Sequence, residues 1–121
     1  MTVAIRGATT VVENDIELIY EASEEMIRKI IEENQINIDD IVSIIFTATK
    51  DIDMAYPAKA IRGMGITKPA FMCFQEMYVV GSLQKCIRVM ITVEGDYNRD
   101  NIKNIYLRGA VGLRPDLVKE S

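Results

Sequence analysis

Apolar residues change their spacing along the chain, and each change marks an expected element. Residues 2–12 open with alternating apolar and polar side chains, which predicts a first strand with Arg6 on its less apolar face. Apolar residues then recur at three-four spacing over residues 16–31, which predicts an amphipathic helix of about five turns. Asn14 and Glu17 have the spacing of a capping box at its start. We interpret the acidic outer face of this helix as solvated.

The second part of the chain predicts further strands and a short helix. Residues 41–48 are almost continuously apolar, as in a central strand covered on both faces. Residues 57–63 begin with proline and end with glycine, which favours a short helix. Strand-like segments follow at residues 71–77 and 86–93, separated by a Gly-Ser loop, with a short strand at 105–107. Two helices cannot cover both faces of such a sheet, so we expect a homo-oligomer.

Composition narrows the class of protein. The 121 residues suffice for a single domain, which we place at residues 1–121, with residues 115–121 as a flexible C-terminal tail. The net charge of −4 makes nucleic acid an unfavourable partner. No apolar run has the length of a membrane span, and no signal-peptide pattern is present. We therefore expect a cytoplasmic protein without a membrane partner.

The set of chemically reactive side chains in the sequence excludes several kinds of catalysis. The sequence has no histidine, which removes histidine general bases and the Ser-His and Cys-His nucleophile systems. Its two cysteines, Cys73 and Cys86, lie in expected strands and look like buried thiols. Residues 1–53 hold 12 acidic and 4 basic residues, whereas residues 54–121 hold 6 and 10. This local excess of cations suits a small anionic ligand, although scattered solvated charges give the same asymmetry.

Arg88 is the most informative charge. It shares a strand face with methionine and threonine, and a guanidinium in such a strand needs an anion nearby. Two interpretations stay open: Glu76 forms a buried ion pair with Arg88, or both residues face a ligand pocket. Lys59 and Arg62 share one face of the short helix, where they meet an anion or simply point into water. Tyr106 is either a strand aromatic or a hydroxyl donor.

Five segments together resemble a known family, the small monofunctional chorismate mutases typical of bacilli, which differ from the all-helical type. The segments are IRGATT, PAKAIR, CFQEM, KCIRVM and YL with LRPDL, at residues 5–10, 57–62, 73–77, 85–90 and 106–107 with 113–117. The resemblance covers essentially the whole chain. It implies an α+β fold, in which a mixed sheet packs on one long and one short helix. It also implies a homotrimer that forms a pseudo-α/β-barrel, with active sites between subunits.

The resemblance implies a reaction and a set of site residues. The reaction is the Claisen rearrangement of chorismate to prephenate in phenylalanine and tyrosine biosynthesis, which needs no cofactor and no metal. Arg88 would contact the breaking ether oxygen and a carboxylate, and Glu76 the ring hydroxyl. Arg6 and Tyr106 match positions that hold a substrate carboxylate. Cys73 would lie near the ring hydroxyl, through its thiol or its main chain. Tyr56, Lys59 and Arg62 match the cleft wall and cationic rim, and Leu113 and Arg114 match a mobile tail that closes over the site. Ala58 and Met72 are the other expected substrate-binding positions.

This sequence departs from the family pattern at two of these positions. Tyr56 stands where the family usually has phenylalanine, and Met72 where a threonine precedes the cysteine. The spacing of Cys73 and Glu76 raises a geometric question, because residues three apart in a regular strand face opposite sides. Either a bulge intervenes, or the strand ends before Glu76 and the chain turns it inward.

Two other functions remain to be weighed against the mutase. One is a trimeric imine/enamine deaminase-like enzyme, which would also hold a carboxylate with arginine but would need a positioned water. The other is a non-catalytic trimer that binds an anionic metabolite. The combination of Arg6, Glu76, Arg88 and Tyr106 favours the mutase over both.

Overall fold

The computed structural model describes residues 1–113, and five of its strands form one mixed sheet. Along the sheet the strands lie in the order β3-β2-β4-β1-β5. Strand β4 runs antiparallel to both β1 and β2, whereas β3 is parallel to β2 and β5 is parallel to β1. The strands are β1 Thr2–Thr10, β2 Ile41–Ala48, β3 Ala70–Gln75, β4 Cys86–Glu94 and β5 Ile105–Tyr106. The prediction of an α+β fold with a mixed sheet is confirmed.

Both helices pack on the same face of this sheet. Helix α1, Ile16–Asn34, lies against β1, and helix α2, Pro57–Gly63, lies against β2, β3 and α1. The predicted N-cap of α1 is wrong by one residue: the Asp15 carboxylate accepts the Leu18 N–H at 3.1 Å. Asn14 instead bonds to residues 53 and 54 through its side-chain amide. As predicted, α2 begins with its proline.

The helix-covered face holds the main core. Strand residues at every second position point into it, and their side chains meet one stripe of α1 and the inner side of α2. Among the largest fully buried side chains are Ile5, Ile44, Phe46, Ile87, Ile91 and Val93 from the strands, and Ile19, Met26, Ile27 and Ile30 from α1. Gly7 permits this close packing, because a Cβ there would lie 2.9 Å from Ile30 Cδ1.

The opposite side of the sheet, which we call the open face, has no α-helix over it within residues 1–113. At its β1 end the 3-10 turn Arg108–Gly112 packs on the sheet and helps bury a small cluster of Ala8, Cys86, Tyr106 and Ala110. Strand β2 is central, as predicted, but the expectation that both its faces are covered fails for the described chain: Val42 is exposed, and Ser43, Ile45 and Thr47 are half-buried. Apolar side chains are also exposed on this face, with 55% of Met72, 49% of Phe74 and 40% of Met90 accessible.

Short 3-10 turns lie between or after the strands at Ile38–Asp40, Arg99–Asn101 and Arg108–Gly112. Within residues 1–113 no helix combines the length and the apolar character that crossing a membrane requires. Two of the sequence predictions, the role of Arg114 and the flexible tail at residues 115–121, lie outside the described residues.

Candidate active site

A continuous row of side chains crosses the open face from one edge of the sheet to the other. Strand register aligns Phe74 with Thr47, Thr47 with Arg88, Arg88 with Ala8, and Ala8 with Tyr106. Neighbouring strands lie about 4.8 Å apart, so Arg88 and Tyr106 are separated by roughly two strand spacings. Ala8 between them is fully buried, in a cluster with Cys86, Tyr106 and Ala110. The row thus places a guanidinium and a phenol two strands apart on one face of the sheet.

Arg88 and Glu76 form an ion pair, but this pair is neither buried nor fully hydrogen-bonded. Arg88 Nε lies 3.4 Å from Glu76 Oε1, and the two side chains are 42% and 25% exposed. Nε itself is shielded from solvent, and among residues 1–113 its N–H has no hydrogen-bond partner. A closed structural pair would satisfy that donor. The guanidinium is therefore held in place while part of it stays accessible.

The orientation of Glu76 resolves the geometric question raised by its spacing from Cys73. Strand β3 ends at Gln75, and the Glu76 N–H donates to the Ala48 carbonyl at 2.8 Å. This bond continues the pairing of β3 with β2, and on the open face the Glu76 carboxylate accepts a hydrogen bond from the Thr47 hydroxyl. Strand β3 pairs with β2 without a bulge, and Cys73 and Glu76 lie on opposite sides of the sheet, as residues three apart in a regular strand do. The strand ends before Glu76, as the second alternative expected, but no turn brings the two side chains to the same side.

Arg6 and Tyr106 lie close to this pair on the same face. Arg6 is cross-strand from Met90, one row away from Arg88, and its side chain is exposed. The Arg6 N–H donates to the Asn104 side-chain oxygen at 2.8 Å, which ties β1 to the segment before β5. Tyr106 is 9% exposed and packs in a small cluster with Ala8, Cys86 and Ala110, with Leu113 against it. We call Arg6, Glu76, Arg88, Tyr106 and Leu113 the open-face group.

The other predicted residues lie around α2 and the edge strand β3, and we call them the edge group. Tyr56, Ala58, Arg62, Met72 and Cys73, with Phe71, line a depression of about 240 Å³. Lys59 lines an adjoining depression of about 520 Å³ together with Tyr56 and Cys73. Ala58 is buried, whereas Tyr56, Lys59 and Arg62 are exposed. The Arg62 guanidinium does not simply point into water, because it lies 5.5 Å from the centre of the Phe71 ring.

The two thiols occupy different environments. Cys73 is cross-strand from Phe46, so it faces the helix side of the sheet, and it is half-buried. Cys86 is buried, and this burial raises the pKa of its thiol, an effect that the nearby Arg88 guanidinium only partly offsets. Both cysteines are free. Cys86 is therefore a neutral packing residue at physiological pH and a poor nucleophile.

Comparisons with known proteins identify the family. The family described as chorismate mutase type I matches residues 2–117. The chain belongs to this family. It is 46% identical to the chorismate mutase AroH of Bacillus subtilis (strain 168) over 114 residues, which are 93% of this chain and 90% of that protein. It is 40% identical to the chorismate mutase AroH of Thermus thermophilus over 118 residues, 97% of both chains.

A solved structure agrees with these sequence relatives. The chorismate mutase Cth-682 from Clostridium thermocellum superimposes with a TM-score of 0.87 at 50% identity, covering 89% of this chain and 96% of that one. The predicted chorismate mutase, an isomerase, is therefore confirmed. The deaminase-like enzyme and the non-catalytic metabolite-binding trimer receive no support from these comparisons.

Sequence reasoning missed three residues that contact members of the candidate site. Thr47 appeared to be part of an apolar strand, yet its hydroxyl contacts Glu76. Asn104 fixes the backbone at Arg6, and Phe71 lies beneath the Arg62 guanidinium. A hydroxyl at an alternate position of an apolar strand was the available signal for Thr47. Asn104 and Phe71 gave no comparable signal, because their partners are distant in sequence.

Proposed function

We propose that the enzyme rearranges chorismate on the open face of its sheet, with Arg88 as the principal catalytic residue. The observation that carries this proposal is the state of Arg88: it is held by Glu76, partly exposed, and has a shielded N–H without a partner in residues 1–113. In the rearrangement the ether oxygen gains negative charge as its bond to carbon breaks. A fixed guanidinium stabilises that charge more strongly in the transition state than in the substrate.

The other open-face residues hold the substrate in its reactive conformer. Arg6 binds a substrate carboxylate, and the Tyr106 hydroxyl donates a hydrogen bond to substrate carboxylate as well. Glu76 accepts a hydrogen bond from the ring hydroxyl. Restricting a flexible dianion in this way supplies the orientation effect. No proton transfer or nucleophile is needed, which agrees with a sequence that contains no histidine.

The site is completed by the edge group of a neighbouring subunit in a homotrimer. Two features support this arrangement. The open face exposes apolar side chains within the single chain, as expected of a surface that a partner covers. The cations of the edge group, Lys59 and Arg62, lie around α2 and β3, whereas Arg88 and Tyr106 lie on β4 and β5 at the other side of β2. A second copy brings these halves together, and Leu113, next to Tyr106, closes one side of the site.

Mixing two complementary variants tests the shared site. Arg88→Ala disables the open-face half, and a Lys59→Ala/Arg62→Ala variant weakens the edge half. If each site takes one half from each of two subunits, co-refolding equal amounts restores roughly one quarter of the sites. Chorismate consumption is followed by absorbance at subsaturating substrate, and each variant refolded alone is the control. Activity of the mixture equal to the mean of the separate variants would show that each subunit holds a whole site.

The biosynthetic role of the enzyme follows from the same activity. We place the enzyme in aromatic amino acid biosynthesis, upstream of phenylalanine and tyrosine. The cytoplasmic location expected from the sequence stays a prediction.

A further inference from the structure

The position of the Glu76 main chain and the direction of its carboxylate are fixed by different contacts. The Glu76 N–H donates to Ala48 in the neighbouring strand, but the residue lies just beyond the end of β3, in the loop that leads to β4. A glutamate has three side-chain torsions, so the main-chain bond alone does not fix the direction of its carboxylate. A second contact must set this direction.

Thr47 supplies that contact from the centre of the sheet. It lies on β2 in register with Arg88, and its hydroxyl donates to Glu76 Oε1. Arg88 Nε is 3.4 Å from the same oxygen. Oε1 is therefore engaged from two sides. This leaves Oε2 as the oxygen that can accept a hydrogen bond from a substrate hydroxyl.

We propose that Thr47 is a positioning residue, which orients Glu76 toward substrate and limits its pairing with Arg88. The inference rests on the proposed role of Glu76. A β-branched side chain in a central strand has little torsional freedom, so it fixes its partner precisely enough to matter for catalysis. Without the hydroxyl, the carboxylate can rotate into a two-point pair with the guanidinium. That pair would withdraw both Glu76 and Arg88 from the substrate.

Three threonine variants provide the first test. Thr47→Val keeps the shape of the side chain and removes the hydroxyl, and we expect kcat/KM to fall on the order of 10-fold to 100-fold, the range for a lost hydrogen bond to a charged group. Thr47→Ser keeps the hydroxyl and should recover most of the activity. Thr92→Val is the matched control, since Thr92 is on the same face, four residues beyond Arg88 on β4, and it should leave kinetics unchanged.

Combination with Glu76→Ala separates positioning from a general structural role. If Thr47 acts through Glu76, Thr47→Val has almost no further effect in the Glu76→Ala background. An equal loss in both backgrounds, accompanied by a lower melting temperature, would overturn the inference. So would full activity of Thr47→Val beside an impaired Glu76→Ala. Full activity of Glu76→Ala has a different meaning, because it removes Glu76 from the proposed mechanism and the inference with it.

Discussion

The two faces of the sheet are made from the same strands, but their side chains differ in burial. On β4, Ile91 points into the helix-covered face and is fully buried, whereas its neighbour Met90 points to the open face and is 40% exposed. Arg88 lies on the same side as Met90, and its Nε–H has no hydrogen-bond partner among residues 1–113. The covered face buries its apolar side chains within one chain, whereas we propose that the open face leaves contacts for substrate and neighbouring subunits. On this proposal, stability and function are divided between alternate residues of the same strands.

The largest effect on stability is expected from the covered face. Ile91→Ala removes a side chain from a core position with no exposed surface, and we expect the free energy of unfolding to fall by about 2–5 kcal/mol. Denaturant unfolding at a fixed protein concentration measures this, because assembly makes apparent stability depend on concentration. The folded fraction should keep its kcat. A loss of kcat in the folded protein would show that the two faces are not separable.

Placing a charge in the middle of the open face tests what covers it. Ile45 is cross-strand from both Met72 and Met90. In the proposed trimer, Ile45→Glu leaves a carboxylate without a partner at a subunit contact, which is strongly unfavourable. Light scattering should therefore show a trimer for the parent enzyme and smaller species for the variant. An unchanged mass would mean that this part of the face is not an interface.

The cationic rim should give a smaller and different effect. In the proposed site, Lys59 and Arg62 interact with substrate carboxylates that stay charged throughout the reaction, so their contribution is nearly equal in substrate and transition state. We expect Lys59→Ala and Arg62→Ala each to raise KM by roughly 3-fold to 10-fold and to change kcat little, on the basis of about 1 kcal/mol per exposed ion pair. Steady-state kinetics decide the matter. A fall in kcat with constant KM would move these residues into the chemical step.

The sequence allowed the elements and their faces to be predicted, because both depend on local spacing. Alternation along β4 correctly separated Ile91 from Arg88. The N-cap of α1 could not be assigned this way, since Asn14 and Asp15 are adjacent candidates and Asn14 is occupied by the distant Asp53. The contact between Thr47 and Glu76 could not be predicted either, because these residues are distant in sequence. The parallel pairing of β2 and β3 brings them together.

The smallest effect is expected from pH. The sequence has no histidine, and the pKa of the Cys86 thiol is raised by burial above its ordinary value of 9.0. Activity should therefore change little between about pH 6 and pH 8. Above about pH 9 the unfolded thiol ionises before the folded one does, so the contribution of Cys86 to stability declines as pH rises. A bell-shaped rate profile with both limbs between pH 6 and 8 would indicate acid-base catalysis instead.

The most direct test of the central claim is Arg88→Ala, with unfolding and kinetics measured on the same preparation. If the open face carries function rather than stability, the variant stays folded and its kcat falls by at least on the order of 10²–10³, the usual cost of losing one transition-state donor. Arg88→Lys should recover little, because a point charge cannot grip the ether oxygen and a carboxylate together. A destabilised Arg88→Ala protein whose folded fraction keeps near-normal kcat would contradict the account.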